Sequence, residues 1–394
     1  MAQDDHTHEI PTRRDIVKGG GALVGGSLLA GCTGSSDSTA TTSETNETTS
    51  NPTTEPESYT VTMAPVGEVQ FDAVPEQWVP YSGGYADMGV ALGQADGLAG
   101  IGGGDRYYTY VYDELPGVDV DQATIEQNPE VRTKEQFYEL DSDVHLYDPQ
   151  MLINWFDWSQ SDIQEITDNV APFIGNLIFR RSDQWHDYRY YTLYQAFEKV
   201  ADVFQQRERY EAFKQFHDDY IAGIQSRLPP TEERPNVLLT FEGTDEPTSF
   251  SPYRLNDQGT SKKQWRDLGV TDALAGTDIQ NLSTTNRGEY DYETLLEVDP
   301  DVILIRGHER KSASEFRDTV LEFMRNHTVG SRLTAVQNGR VYRGGYLRQG
   351  PIHNLFLTER AAQQLYPDEF GDVTSDTELF DRQAVADIVN GDFE

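Results

Sequence analysis

Apolar positions recur in two registers along this chain. Leu193, Phe197, Val200 and Phe204, then Phe213, Phe216, Tyr220 and Ile224, fall at steps of three and four. That spacing puts side chains on one face of an α-helix, so residues 185 to 227 are predicted as one amphipathic helix. Pro229 and Pro230 end it, because proline lacks the amide that a helix interior needs. About forty residues at ~1.5 Å each would span on the order of 60 Å, enough to brace two bodies. Shorter apolar runs at residues 144–147, 237–241, 302–305 and 341–343 read as strands, and residues 262–268, closed by Gly269, and 355–365 as helices. Alternating strands and helices point to an α/β chain with mostly parallel sheets and right-handed crossovers. In such sheets ligands sit beyond the carboxyl ends of the strands.

One unit occurs twice. Residues 135–146 and 293–304 superimpose at a constant offset of 158 and agree at six of twelve positions. Each reads as a short helix, an acidic turn and a strand, at an equivalent place in its half of the chain. Two similar α/β lobes explain this most economically. The expected division is an N-terminal lobe over residues 59–184, a connecting helix over 185–228 and a C-terminal lobe over 229–394.

The first 32 residues read as a targeting segment. Arg13 and Arg14, followed by Ile16, Val17 and Lys18, match the twin-arginine export signal. The weakly apolar stretch behind them is too short to span a bilayer. It closes on Leu29, Ala30, Gly31 and Cys32, the pattern of a lipoprotein cleavage site at which the cysteine is lipidated. Residues 33–58 are almost entirely Ser, Thr, Glu, Asn and Pro; they cannot bury enough apolar surface to order themselves and read as a tether. The expected location is the outer face of the cell membrane, held by the lipid.

Cys32 is the only cysteine, which excludes a disulfide, a thiolate nucleophile and a cysteine metal site in the body. The chain carries 67 Asp and Glu against 31 Lys and Arg, a net charge of −36, with only seven lysines. A surface of this sign repels nucleic acid. The composition resembles that of proteins from salt-loving archaea, so no partner is drawn from it.

With these pieces in order, the chain resembles the ABC solute-binding proteins that capture ferric siderophores and cobalamin. The resemblance rests on residues 290–304, on 336–342 and on 86–93, and covers about residues 59 to 367. It departs at residues 78–87 and at Ser142, where proline is usual. The resemblance implies two Rossmann-like lobes linked by a single long α-helix, an ABC permease and its ATPase as partners, and no enzymatic activity. It also implies docking of an acidic residue from each lobe onto permease arginines, and Glu135 and Glu293 hold the matching positions. A carboxylate in the first turn of a helix is stabilised there by the macrodipole; each could instead cap its own helix.

The ligand is expected between the lobes. Loops after the first-lobe strands offer Tyr81, Tyr85, Arg106, Tyr107 and Trp155, and those of the second lobe offer Tyr253, Arg254, Arg306, Tyr346 and Arg348. Aromatic faces with a few guanidinium forks suit a flat, partly apolar, anionic chelate. The eight histidines are scattered, His145 reads as packed or edge-exposed within a strand, and no protein-held metal or other cofactor is expected. Iron would arrive already chelated, as a siderophore, or the cargo would be a corrinoid or haem. A hydrolase on a duplicated scaffold is the rival reading, yet no G-x-S-x-G or H-E-x-x-H motif occurs. A lipoprotein that only makes protein contacts is another.

Overall fold

The computed structural model describes residues 58–255, 257–277, 288–373 and 377–393. Arg13, Arg14, Cys32 and the tether up to residue 57 lie outside them. The described chain opens with a hairpin, β1 (Tyr59–Met63) antiparallel to β2 (Gly67–Phe71), whose alternating burial seats Val61, Met63, Val69 and Phe71 in the core. The first lobe then builds a parallel sheet from β3 (Trp78–Pro80) and β4 (Val144–Leu146). Parallel bridges from Trp78 to Leu98 and from His145 to Phe173 flank it on either side. The second lobe carries β5 (Asn236–Phe241), β6 (Ser251–Tyr253), β7 (Thr271–Asp272), β8 (Val302–Arg306) and β9 (Val341–Arg343) in one sheet ordered β6-β5-β8-β9, with β7 also on β5. All its pairings are parallel except β5 with β6. Every residue of β8 is buried, as a strand covered on both faces requires.

The repeat read from the sequence is structural. Helices Lys134–Leu140 and Tyr292–Val298 end on Asp141 and Asp299, both in the left-handed region at φ 45° and 38°. The chain then enters β4 and β8. Asp143 Oδ2 accepts from the amides of Glu76 and Gln77 at 2.9 and 2.8 Å. Its counterpart Asp301 accepts from the amide of Asn236 at 2.8 Å. In both lobes, then, the same acidic turn caps the start of the neighbouring strand.

The predicted connecting helix needs correction. It is two helices, Leu193–Val203 and Arg207–Ser226, parted where Gln205 takes φ 53°; residues 185–192 precede the first helix. Phe197 meets Tyr210 and Phe213, with ring centroids 5.3 and 5.9 Å apart, so the two apolar stripes face each other rather than forming one seam. The interval from Phe204 to Tyr210 breaks the steps of three and four, and there the chain turns. The second helix, 20 residues and so about 30 Å long, braces both lobes. Arg209 donates to the Leu92 carbonyl of the first, and His217 bonds Asn354 of the second at 2.8 Å.

His145 is fully buried between Phe137 and Phe173, the packed alternative. Burial pushes its pKa down from 6.5 to about 3. The unfolded chain therefore binds a proton that the folded chain refuses between those values, and stability falls as pH drops through that window. From pH 6.5 to 4.5 the loss from this group is about 2 kcal/mol. Urea unfolding of His145→Leu is expected to show an acid-induced loss smaller than wild type by about that amount; parallel curves would contradict the burial argument.

Candidate functional site

A cleft of about 530 Å³ opens where the lobes face each other, within the range of small-molecule sites. Its second-lobe wall is made by the carboxyl ends of two parallel strands, Phe241 closing β5 and Arg306 closing β8, with the loop from Gly307 to Lys311. Tyr253 from β6 adds an aromatic face. The first lobe contributes Asp105, Arg106 and Tyr108.

Arg306 is 3% exposed. Its guanidinium carbon lies 5.3 Å from the ring centroids of both Tyr253 and Trp265, and its nitrogens donate to the carbonyls of Ser261 (2.5 Å), Gly344 (3.3 Å) and Tyr346 (3.4 Å). Rings and carbonyls fix this cation in place, which lowers the entropic cost of using it. Arg310 is exposed, lies 5.8 Å from the Tyr108 ring and crosses the cleft to donate to the Asp105 carbonyl at 3.2 Å. Lys311 pairs with Asp245 at 3.0 Å. Glu309, also on the wall, accepts from the Gly345 amide at 2.7 Å and from Arg360 at 2.8 Å, so its charge is partnered. Burial holds the His308 imidazole below its ordinary range. In a chain of charge −36, Arg106, Arg306, Arg310 and Lys311 thus converge on one cavity with Tyr108 and Tyr253. This arrangement can seat a flat anion between aromatic rings and guanidinium forks.

Of the ligand residues expected from sequence, Arg106, Tyr253 and Arg306 line this cleft. Tyr81 and Arg348 meet deeper at the lobe interface, where Arg348 donates to the Tyr81 hydroxyl at 2.8 Å and stacks over its ring at 4.5 Å. A Cβ on Gly103 would lie 2.6 Å from Arg348 Nη1, so glycine there admits the arginine. Trp155 borders this region and carries Arg180 at 4.6 Å. Tyr85 lines a small recess with Tyr81 and Arg348, and the remaining candidates are engaged within the protein. Tyr85 bonds the carbonyl and amide of Asn176, both at 3.0 Å; Tyr107 shares a hydrogen bond with Tyr112 at 3.0 Å; Arg254 pairs with Asp272 at 2.8 Å; Tyr346 stacks on Tyr108 at 4.5 Å. Sequence reasoning missed Asp105, Tyr108, Phe241 and residues 307–311. The signal was available for the last group, since they directly follow a strand end already singled out.

Glu135 and Glu293 are both exposed in the first turns of equivalent helices. Neither caps its helix: Thr133 with Gln136 does so in one, and Asp291 in the other. Among the described residues, no three His, Cys, Asp or Glu are placed to share a metal ion, and no helix is long and apolar enough to cross a membrane.

Residues 79–345 match the model of a family described as periplasmic binding protein. No curated protein matches the chain. Among solved structures, it is similar to a periplasmic binding protein from Veillonella parvula at 16% identity, with a TM-score of 0.55, covering 78% of this chain and 97% of that one. The iron-uptake ABC transporter substrate-binding protein PiuA from Streptococcus pneumoniae aligns at 18% identity and TM-score 0.54, covering 77% and 97%. The petrobactin-binding protein YclQ from Bacillus subtilis aligns at 17% and 0.54, covering 79% and 99%.

Proposed function

The chain belongs to the periplasmic binding protein family, an extracytoplasmic, substrate-binding family, and on that premise we propose that it captures an iron chelate for an ABC importer. The ligand in this reading is a ferric siderophore, or a related corrinoid or haem. The observation that carries it is the convergence of Arg106, Arg306, Arg310 and Lys311 with two tyrosines in an otherwise strongly acidic molecule. Two neighbours in fold, named for iron uptake and for petrobactin binding, agree with it. The lobes close modestly over the chelate, and the loaded protein presents Glu135 and Glu293 to the permease, whose ATPase drives release. Capture involves no bond-breaking step. Twin-arginine export through Arg13 and Arg14, and lipidation at Cys32, would keep the binding body at the outer face of the membrane; the acidic surface fits a halophilic setting.

Thermal unfolding in the presence of ferric siderophores, cobalamin, haem and free divalent metals tests this. A ligand that binds only the native state at about 100 times its Kd adds about 2.7 kcal/mol, a shift of several degrees. An upward shift with one chelate class is expected; a shift with free metal alone would contradict the proposal.

A further inference from the structure

A second cavity, of about 240 Å³, lies outside the cleft. It is enclosed by the helical run from Ala313 to Asn326, by β9 and by the helix Pro351–Leu365. Its floor is apolar: Phe316, Leu321 and Val341 are buried core residues, and Tyr342 adds a ring. The volume exceeds the ~150 Å³ of an apolar cavity that accepts a benzene ring.

Its rim is cationic. Arg317, Arg325, Arg343 and Arg360 all line it, and Asp372 is the one carboxylate on the wall among the described residues. Arg360 is held by Glu309 at 2.8 Å. Among the described residues, Arg317 and Arg325 pair with solvent-exposed neighbours, Asp318 at 3.0 Å and Glu322 at 4.0 Å, which screen them weakly. Arg343 has no carboxylate within ion-pair distance among the described residues; it donates to the Lys311 carbonyl. The chain has 67 acidic residues against 31 Lys and Arg, so a guanidinium with no carboxylate at ion-pair distance among the described residues, beside an apolar cavity, is notable in itself. The wall also contains a π-helical turn, Arg317–Leu321, inserted between two α-helical segments. Both ends of that turn line the cavity, and such insertions occur frequently at functional sites.

We propose that this cavity is a second ligand site, taking a small carboxylate with an apolar or aromatic body. The body fills the floor between Phe316, Leu321 and Val341, and the carboxylate meets Arg343. The site does not depend on what the cleft binds.

Calorimetric titration of the full chain with benzoate tests this, using sulfate as a charge-only probe and toluene as an apolar-only probe. Benzoate is expected to bind at least ten times more tightly than either. Arg343→Met is expected to weaken it by roughly ten- to hundred-fold, the effect of losing a hydrogen bond between charged groups. Ala313→Phe, which fills the cavity while keeping all four arginines, is expected to abolish binding and decides the matter if Arg343→Met does not fold. Arg310→Ala, in the cleft, is expected to leave benzoate affinity unchanged. The proposal is overturned if sulfate or toluene binds as tightly as benzoate, if benzoate does not bind at millimolar concentration, if a folded Arg343→Met or Ala313→Phe keeps wild-type affinity, or if Arg310→Ala removes binding.

Discussion

Reversing both charges, Glu135→Lys with Glu293→Lys, is expected to reduce uptake by the importer at least about 100-fold while ligand affinity stays within about twofold of wild type. Truncating one partner of a buried interfacial charge pair costs about 2–5 kcal/mol, and in the proposed docking a reversal adds repulsion at two sites. The folded protein should tolerate the change. Both side chains are exposed and neither is the cap of its helix, so the local loss is the macrodipole contribution, about 0.3–1 kcal/mol each. Uptake in cells expressing the variant, measured beside a binding titration of the same protein, separates the outcomes. A large loss of affinity would mean that these residues shape the cleft, and undiminished uptake would remove them from the docking surface.

The largest stability effect is expected at the C-terminal end of the second lobe. Arg382, 8% exposed at the start of helix Arg382–Asn390, contacts both oxygens of Glu359 at 2.5 and 3.1 Å and lies over the rings of Phe380 and Phe356 at 3.7 and 4.5 Å. Glu359 is equally buried and also accepts from the Leu379 amide at 2.6 Å. Arg382→Ala would strand this carboxylate with one amide donor and remove guanidinium packing from two rings. Breaking a buried pair in this way costs about 3–5 kcal/mol. The double variant Glu359→Met with Arg382→Met removes both charges and is expected to recover most of the loss, because well-packed apolar replacements of buried pairs are often neutral. Denaturant unfolding of the two proteins checks this; a loss below about 1 kcal/mol for Arg382→Ala would show that water solvates Glu359 adequately.

Much of the architecture was readable because it is written in short-range patterns. The twofold unit survived as sequence because its acidic turns have structural duties: Asp141 and Asp299 adopt left-handed backbone, and Asp143 and Asp301 cap strand starts. The buried strand β8 announced itself as an unbroken apolar run. The break at Gln205 was harder, since neither glycine nor proline marks it and helical stripes on both sides continue the same spacing. Only the polar interval before Tyr210, where the steps of three and four fail, separates the two helices from the single one read from the sequence.

Site residues were less legible for a different reason. Tyrosine and arginine are abundant here and do two jobs that look alike in sequence. Tyr107 and Tyr346 sit in the same loops as cleft residues, yet their rings turn inward onto Tyr112 and Tyr108. Arg254 follows the cleft residue Tyr253 directly, but its charge is spent on Asp272, a partner across β5 that no local pattern reveals. Conversely, Tyr108 and Arg310 reach the cleft only because the lobes meet.

In the proposed reading, the cleft between β5, β8 and the loop at Arg106 captures an anionic ferric chelate. Equilibrium titration of wild type and of an Arg106→Ala, Arg310→Ala double variant with the chelate that raises the unfolding midpoint tests it most directly. Wild type is expected to bind tightly and the variant at least about a hundred-fold more weakly, since hydrogen bonds to charged groups contribute about 1.5–3 kcal/mol each and two are removed. Equal affinity in the two proteins would place the chelate outside this cleft.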